Sequence, residues 1–469
     1  MFFNEAKKAF GVEAVTSQDM DIAIINWMNT YRGFPAWVDK ENGIKSIKFA
    51  KAICSETSRL VTLALGIEFD GGTRAKYLQD VTDKMIMPRL RNWVEYGCAA
   101  GTIILKPNGA GIDMVTPDRF RVVGKDGNGC ISSIVFEDSY QEGTVYYTKL
   151  EYHRFMTADV KMPGQEIGKA VTYYMISNRT YKSAREGSIG KECNMQETRW
   201  SNLLPEVTIT KSNGEKINSM LFGVLKMPSA NDIDMDSPLG VSIFSDAMEE
   251  IRDLDIAYSR NAGEIYDSNS IELLDDRLLN VSGKKIGTGS DICLPRYVHN
   301  VFGDGEKEFY QSIDRPLKTD LRIKGINNQL SFIGYKCGYS NGYFVFDQKS
   351  GMITATQVEA DDRRTIQLIK DIRDRLQIAV NDLLYALSVF ADLYNLSPAG
   401  SYEANYSFGD ITYNFEEDKM HHYNLAVAGK YPWEEYYVEY LKYSRADAKR
   451  LLKMAKEENK EPGLLEDEE

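Results

Sequence analysis

The period of apolar positions changes several times along the chain. Over 47–65 they fall at Ile47, Ala50, Cys54, Leu60, Val61 and Ala64, with Ile53 and Leu65 widening the face. That spacing predicts a helix. Ile67 and Phe69, stopped by Asp70-Gly71-Gly72, close the block. A second helical pattern covers 75–96, where Pro88 is expected to kink or divide it. From 102 to 227 the pattern turns to strands. Residues 102–107 read as one strand, and Asp126-Gly127-Asn128-Gly129 between apolar runs is a hairpin signal. Further strands fit 143–150, 153–156, 172–176 and 221–227, while 178–201 is polar and reads as loop-rich.

At 236 the helical period returns. Asp236-Ser237-Pro238 supplies a cap followed by Pro at the first helical position. Phe244, Met248, Ile251, Leu254, Tyr258, Ala262 and Ile265 then recur at steps of three and four, one apolar stripe on a long helix. The stripe needs a cover, either the chain's own core or another copy of the same helix. Residues 268–313 read as irregular, with short strands and loops. A further helix fits 316–335, weakened by Gly325. Gly338 to Gly342 break the chain, 343–346 read as a short strand, and 347–351 as a turn. The longest helical pattern spans 356–396. A β-like stretch over 404–415, an acidic turn at Phe415-Glu416-Glu417-Asp418 and two short helices, 432–443 and 445–456, complete the chain.

Composition narrows the class. The 469 residues are 43% apolar and 27% charged, ordinary for a globular chain with room for more than one domain. The 28 tyrosines suit interfaces and half-buried strands alike. A net charge of −13 disfavours tight grip on nucleic acid but suits a wall that DNA slides past. Cys54, Cys98, Cys130, Cys193, Cys293 and Cys337 are scattered, which argues against a zinc site and for unpaired thiols. The start lacks the apolar core of a signal peptide, and no apolar run approaches a membrane span of about 20 residues. The expectation is assembly in the cytoplasm and no membrane.

Catalytic constellations are sparse. His153, His299, His421 and His422 lack metal-ligand spacing. The chain has no Gly-x-Ser-x-Gly elbow and no phosphate loop, since Ser282-Gly283-Lys284-Lys285 lacks the first Gly and the Ser/Thr. Acidic neighbours such as Glu249-Glu250, Asp275-Asp276 and Asp361-Asp362 read as solvated surface rather than a nuclease or glycosidase site. The expectation is a protein without catalysis, metal or cofactor.

One stretch carries a resemblance. Asn231-Asp232-Ile233-Asp234-Met235-Asp236-Ser237-Pro238-Leu239-Gly240-Val241-Ser242-Ile243-Phe244, running on through Ala247 to Leu254-Asp255-Ile256-Ala257-Tyr258, resembles portal proteins of tailed phages infecting Gram-positive bacteria. Gly351-Met352-Ile353-Thr354-Ala355-Thr356-Gln357-Val358 is similar to that family's Thr-Ala-Thr-Glu-Val stretch, with Gln357 in place of Glu. The helix over 47–64, the strand over 97–107 and the order of the C-terminal elements agree with it.

The resemblance implies an α+β portal fold: an α/β wing over 1–237, stem helices over 238–267 and 314–336, and a small β-containing clip over 268–313. A tunnel-loop region would follow over 337–355, then a long wing helix over 356–396 and a helical crown over 397–469. It implies a homo-oligomeric ring of about twelve subunits at one capsid vertex of the virion. Double-stranded DNA would pass through it transiently and without sequence preference. The large terminase ATPase, the major capsid and scaffolding proteins, and later the neck adaptor and tail proteins would be its partners. Another head–neck part, a minor capsid protein or adaptor, is the alternative.

On that mapping Gln348, Lys349 and Ser350 at the loop tip, and Lys318, Arg322 and Lys324 on the second stem helix, would face DNA. A plain surface turn and salt bridges to a neighbouring stem account for the same residues. Phe244, Met248, Ile251, Leu254, Tyr258 and Ile265 would form the subunit interface.

Overall fold

The computed structural model describes residues 3–109, 111–160, 169–210, 217–267, 271–274, 296–298, 310–313, 318–345, 355–409, 415–427, 429–441, 443 and 445–458. The chain forms two units, Met1–Phe408 and Gly409–Glu469, of mixed helix and sheet. In the first, α1 (Phe3–Phe10), α2 (Gln18–Arg32) and α3 (Phe49–Val61) precede β1 (Gly66–Gly71). Helix α4 (Thr73–Val81) continues through a π-helical turn, Thr82–Ile86, into α5 (Met87–Ala100). Strands follow: β2 (Thr102–Pro107), β3 (Ile112–Val115), β4 (Phe120–Lys125), β5 (Ile131–Glu142), β6 (Val145–Val160), β7 (Lys169–Ser183), β8 (Lys191–Glu192), β9 (Glu206–Ile209) and β10 (Gly223–Lys226). Then come α6 (Met248–Asp267), β11 (Ile271–Leu274), β12 (Arg296–Val298), β13 (Tyr310–Ile313), α7 (Thr319–Lys336), α8 (Ala355–Leu393) and β14 (Tyr402–Ser407). The second unit holds α9 (Phe415–Val427), α10 (Trp433–Glu439) and α11 (Arg445–Glu458).

Among the described residues, β4-β5-β6-β7-β8 run in that order in one antiparallel sheet, with β9 also paired to β7. Strands β10-β2-β3 form a second sheet, β12-β11-β13 a third, and β1 pairs with β14. The Asp126–Gly129 hairpin is as expected: the Asp126 carboxylate accepts from Asn128 N at 2.9 Å and Cys130 N at 2.8 Å. Pro88 does not break its helix. The helix widens by one π turn just before it, which accommodates the missing N–H and the ring.

The structure departs from the sequence reading at several points. Strands expected at 143–150 and 153–156 are one strand, β6, and β7 runs on to Ser183 into the first residues of the stretch read as loop, the rest of which is largely loop and turn. Two buried side chains of β7 donate to the loop behind them: Asn178 Nδ2 to Leu204 O and Thr180 Oγ1 to Cys193 O, both at 2.8 Å, while Asn178 Oδ1 and Ser177 Oγ are buried without a partner among the described residues. The helix expected from 238 starts at Met248, after a 3-10 turn at Ser245–Ala247. Residues 239–242 are irregular and 243–244 form a turn, because tertiary hydrogen bonds hold this backbone out of a helix: Gly240 N donates to Thr102 Oγ1 at 2.8 Å and Ile243 N to Cys98 O at 3.1 Å. Gly101, with φ +76°, lies so close to this segment that a Cβ there would sit 2.4 Å from Gly240 O. Residues 341–344 turn instead of forming a strand, and α9 replaces the acidic turn expected at 415.

Helix α8 is the spine of the first unit. By length and composition alone its stretch Arg363–Leu393 is long and apolar enough to cross a membrane, and half of its most apolar window is buried inside the protein. Two buried arginines fix it. Arg74, from α4, forms an ion pair with Asp392 and donates to Ser388 O at 2.6 Å, Ser397 O at 2.9 Å and Pro398 O at 3.1 Å. It thereby ties the last turns of the helix to the chain just beyond them. Arg373, from α8 itself, donates to Leu60 O at 3.0 Å and Val61 O at 3.1 Å, closing the end of α3.

Candidate functional site

Helices α6 and α7 lie side by side. Ion pairs at both ends fix an antiparallel register: Glu264 with Arg322 at one end, and Glu250 with Lys336 at 2.5 Å at the other. Lys336 Nζ also donates to Asp246 O at 3.0 Å. Ile251 and Leu254 on α6 and Leu330 and Ile333 on α7 are buried within the unit. A third side of α6 is clamped by the chain over 37–47. Buried Asp255 accepts from Trp37 Nε1 and from Ile47 N, both at 2.9 Å.

The expected interface stripe therefore divides. Phe244, Ile251 and Leu254 belong to the chain's own core, and Met248 is partly covered. They are not a free face, because α6 begins late enough that its first half lies inside the unit. Tyr258 and Ile265, further along the same stripe, remain exposed. Ile251→Asp should accordingly lower the stability of the protomer itself, read as a drop in its urea midpoint, because it buries a charge in the core.

Of the cations expected along a DNA path, Lys318 and Lys324 are exposed, whereas Arg322 is engaged by Glu264 on the neighbouring helix of the same chain. Gln348, Lys349 and Ser350 lie outside the described residues, as does nearly all of the expected clip. The described start of the stretch expected as a tunnel loop is anchored. Tyr339 is buried with its hydroxyl 2.5 Å from Thr57 Oγ1, Ser340 N donates to Thr365 Oγ1 at 2.9 Å, and Tyr343 donates to Glu56 at 2.6 Å. Residues 339–344 are thus held on α3 and α8.

The sequence reading missed the outer face of α7. Leu321, Phe332 and Tyr335, at steps that place them with Gly325 and Asn328 on one helix face, are 68%, 65% and 55% exposed. The opposite face, with Asn327, Leu330 and Ile333, is buried. The signal was present as helical spacing, but the basic residues of this helix drew attention first. The Arg364 guanidinium, from α8, lies 3.9 Å above the Tyr335 ring.

The reading also missed a buried polar network. On β6, Lys149, Glu151 and His153 alternate onto one face. Glu151 receives Lys106 Nζ at 2.7 Å, Lys149 Nζ at 2.7 Å and His153 Nε2 at 2.6 Å. His153 Nδ1 is 2.6 Å from the Tyr174 hydroxyl, which in turn lies 3.4 Å from Leu221 N. Burial disfavours the Glu151 charge, but Lys106, His153 and Lys149 outweigh it and hold the carboxyl well below its usual range. Burial is also the largest influence on His153, whose pKa is pushed down. A neutral imidazole donating from Nε2 and accepting at Nδ1 fits these partners. Every polar group here has its partner inside the protein, so the network joins β2, β6, β7 and the start of β10 rather than presenting a reactive group. Among the described residues no group of three or more His, Cys, Asp or Glu is placed to hold a metal ion.

Neither a protein family nor a curated protein matches the chain. Among solved structures it is similar to a chain from the virion of a native gene transfer agent particle, with a TM-score of 0.39 and 9% sequence identity, over 90% of this chain and 98% of that one.

Proposed function

We propose that the chain is a subunit of a phage portal, a ring at one capsid vertex through which DNA passes in packaging and ejection. The observation that carries this reading is the two-sided apolar character of α7. One face is covered by the chain's own α6 and core, and the other bears Leu321, Phe332 and Tyr335 in the open. A helix apolar on both sides needs a second neighbour. The exposed part of the α6 stripe, Tyr258 and Ile265, offers a different surface on the same chain. Two different surfaces that fit each other make a head-to-tail contact, which gives a ring where its rotation closes and an open filament where it does not. The resemblance of residues 231–258 to portal proteins agrees with this arrangement.

On this reading Lys318 and Lys324 are the α7 cations available to touch phosphates in passing, and the net charge of −13 keeps the wall from gripping them. The motor that moves DNA is a separate ATPase docked on the ring, and capsid, scaffolding and neck proteins complete the vertex. The chain itself carries out no catalysis.

The test is Phe332→Asp in the full chain. The side chain is exposed in the protomer, so its urea midpoint should stay within about 0.5 kcal/mol of the parent's. Assembly, measured by sedimentation velocity, should fall at least about tenfold because a charge enters an apolar seam. Unchanged assembly would remove α7 as the contact.

A further inference from the structure

The chain holds five Asn-Gly steps: Asn42-Gly43, Asn108-Gly109, Asn128-Gly129, Asn213-Gly214 and Asn341-Gly342. In each, a side-chain amide is followed by a backbone nitrogen that no Cβ shields. That nitrogen can attack the side-chain amide carbon when three conditions meet. It must be free of a hydrogen bond, the side-chain carbonyl must be polarised, and the side-chain nitrogen must be free to leave.

Three of the steps are held. Gly43 N donates to Lys40 O at 3.3 Å, and Asn42 Nδ2 donates to Asp39 Oδ2 at 2.6 Å. Gly129 N donates to Asp126 O at 3.1 Å. The Asn108 side chain is pinned at both ends, since Nδ2 donates to Asp113 Oδ1 and Oδ1 accepts from Gly111 N, both at 2.7 Å. Asn213 lies outside the described residues. Asn341 meets all three conditions. It is exposed, and its Oδ1 accepts from Ser331 Oγ of α7 at 3.0 Å. Among the described residues no hydrogen bond holds Asn341 Nδ2 or Gly342 N.

We propose that Asn341-Gly342 is a self-modifying site. Hydroxide takes the Gly342 amide proton, and the nitrogen forms a bond to Asn341 Cγ. The Ser331 hydroxyl meets the negative charge that gathers on Oδ1. The intermediate collapses, the bond from Cγ to Nδ2 breaks, and ammonia leaves with a proton from water, giving a succinimide. Water then opens one of the two ring carbonyls. Opening at the side-chain carbonyl gives aspartate, and opening at the main-chain carbonyl routes the backbone through the side chain as isoaspartate. The net exchange is water in, ammonia out, and one carboxylate in place of one amide.

The step lies between two anchors. Ser340 N is bound to Thr365 of α8, the Tyr343 hydroxyl to Glu56 of α3, and Tyr343 N donates back to Ser340 O at 3.2 Å. Isoaspartate adds a methylene to the backbone between them, so the turn opens. A fixed segment thus becomes, with age, a looser and more acidic one. This concerns the single chain and stands whether or not the ring forms.

The test keeps the folded full chain at mildly alkaline pH for weeks. Mass spectrometry of its peptides reads amide-to-acid exchange at each step, and methyltransferase labelling reads isoaspartate. Asn341 should convert at least about tenfold faster than Asn42, Asn108 and Asn128, the worth of the hydrogen bonds that hold those three. In urea all five should convert at similar rates. Ser331→Ala should slow Asn341 about threefold and leave the others unchanged. Hydrogen exchange at the Tyr343 amide should quicken in the aged protein. An intact Asn341 beside a converted Asn128, or the same ranking in urea as in the fold, overturns the site. An unchanged rate in Ser331→Ala overturns the part given to the hydroxyl, and unchanged exchange at Tyr343 overturns the loosening.

Discussion

Arg74→Ala is expected to lower the stability of the first unit by about 3 kcal/mol. The guanidinium is fully buried, forms an ion pair with Asp392, and donates to three carbonyls at or beyond the end of α8. Removing it leaves the Asp392 carboxylate without its ion-pair partner and takes the guanidinium donor from the Ser388, Ser397 and Pro398 carbonyls, and pairing lost at a buried site forfeits desolvation. It also frees α4 from α8, so the pair of β1, which precedes α4, and β14, which follows α8, should loosen with it. Arg74→Lys should recover little, because an ammonium cannot reach four acceptors spread as a fork. Exposed Arg59, whose partner Glu56 lies one turn away, is the control, and its loss should cost under about 0.5 kcal/mol. Urea denaturation followed by tryptophan emission reads all three. An Arg74→Ala midpoint equal to the control's would show that the helix end is held by something else.

The second large effect concerns Glu151. Glu151→Gln should cost about 3 kcal/mol or more, because Lys106 and Lys149 would keep their charges in a buried site with no carboxylate to meet them. The wild-type pH profile follows from the same geometry. His153 ordinarily titrates near 6.5 and is held lower in the fold, so its contribution is present above 6.5 and is lost as pH falls from there toward the depressed folded value. Glu151 ordinarily titrates near 4.5 and is held well below it, so its contribution is lost at still lower pH. Stability should therefore decline on acidification, first through the imidazole and then through the carboxylate. His153→Gln should flatten the first part of the decline and leave the second. A variant with the parent's slope just below pH 6.5 would assign that slope to other groups.

These two centres mark the boundary of what the sequence discloses. Elements held by their own periodicity were legible: α3, α7 and α8 from steps of three and four, and the β4–β5 hairpin from Asp126-Gly127-Asn128-Gly129. The start of α6 was not, because Ser237-Pro238 carries a local cap signal that loses to backbone hydrogen bonds from Gly240 and Ile243 to residues far away in the chain. The length of β7 was hidden for a similar reason, since its buried Asn178 amide N–H and Thr180 hydroxyl donate to loop carbonyls distant in the pattern. Arg74 and Glu151 draw their partners from helices and strands distant in sequence, and no spacing rule connects them. Half of the expected interface stripe proved to be core because one apolar face serves either purpose, and only the placement of the rest of the chain decides between them. The outer face of α7 is legible in retrospect as a helical stripe; its exposure is not.

The central claim is that the exposed faces of α6 and α7 close a ring. Negative-stain electron microscopy of the purified full-length protein, over a concentration series and with Phe332→Asp in parallel, tests it most directly. The account predicts closed rings of about twelve subunits around a central hole for the parent chain and their loss in the variant. Monomers at every concentration, or rings that persist unchanged in Phe332→Asp, would contradict it.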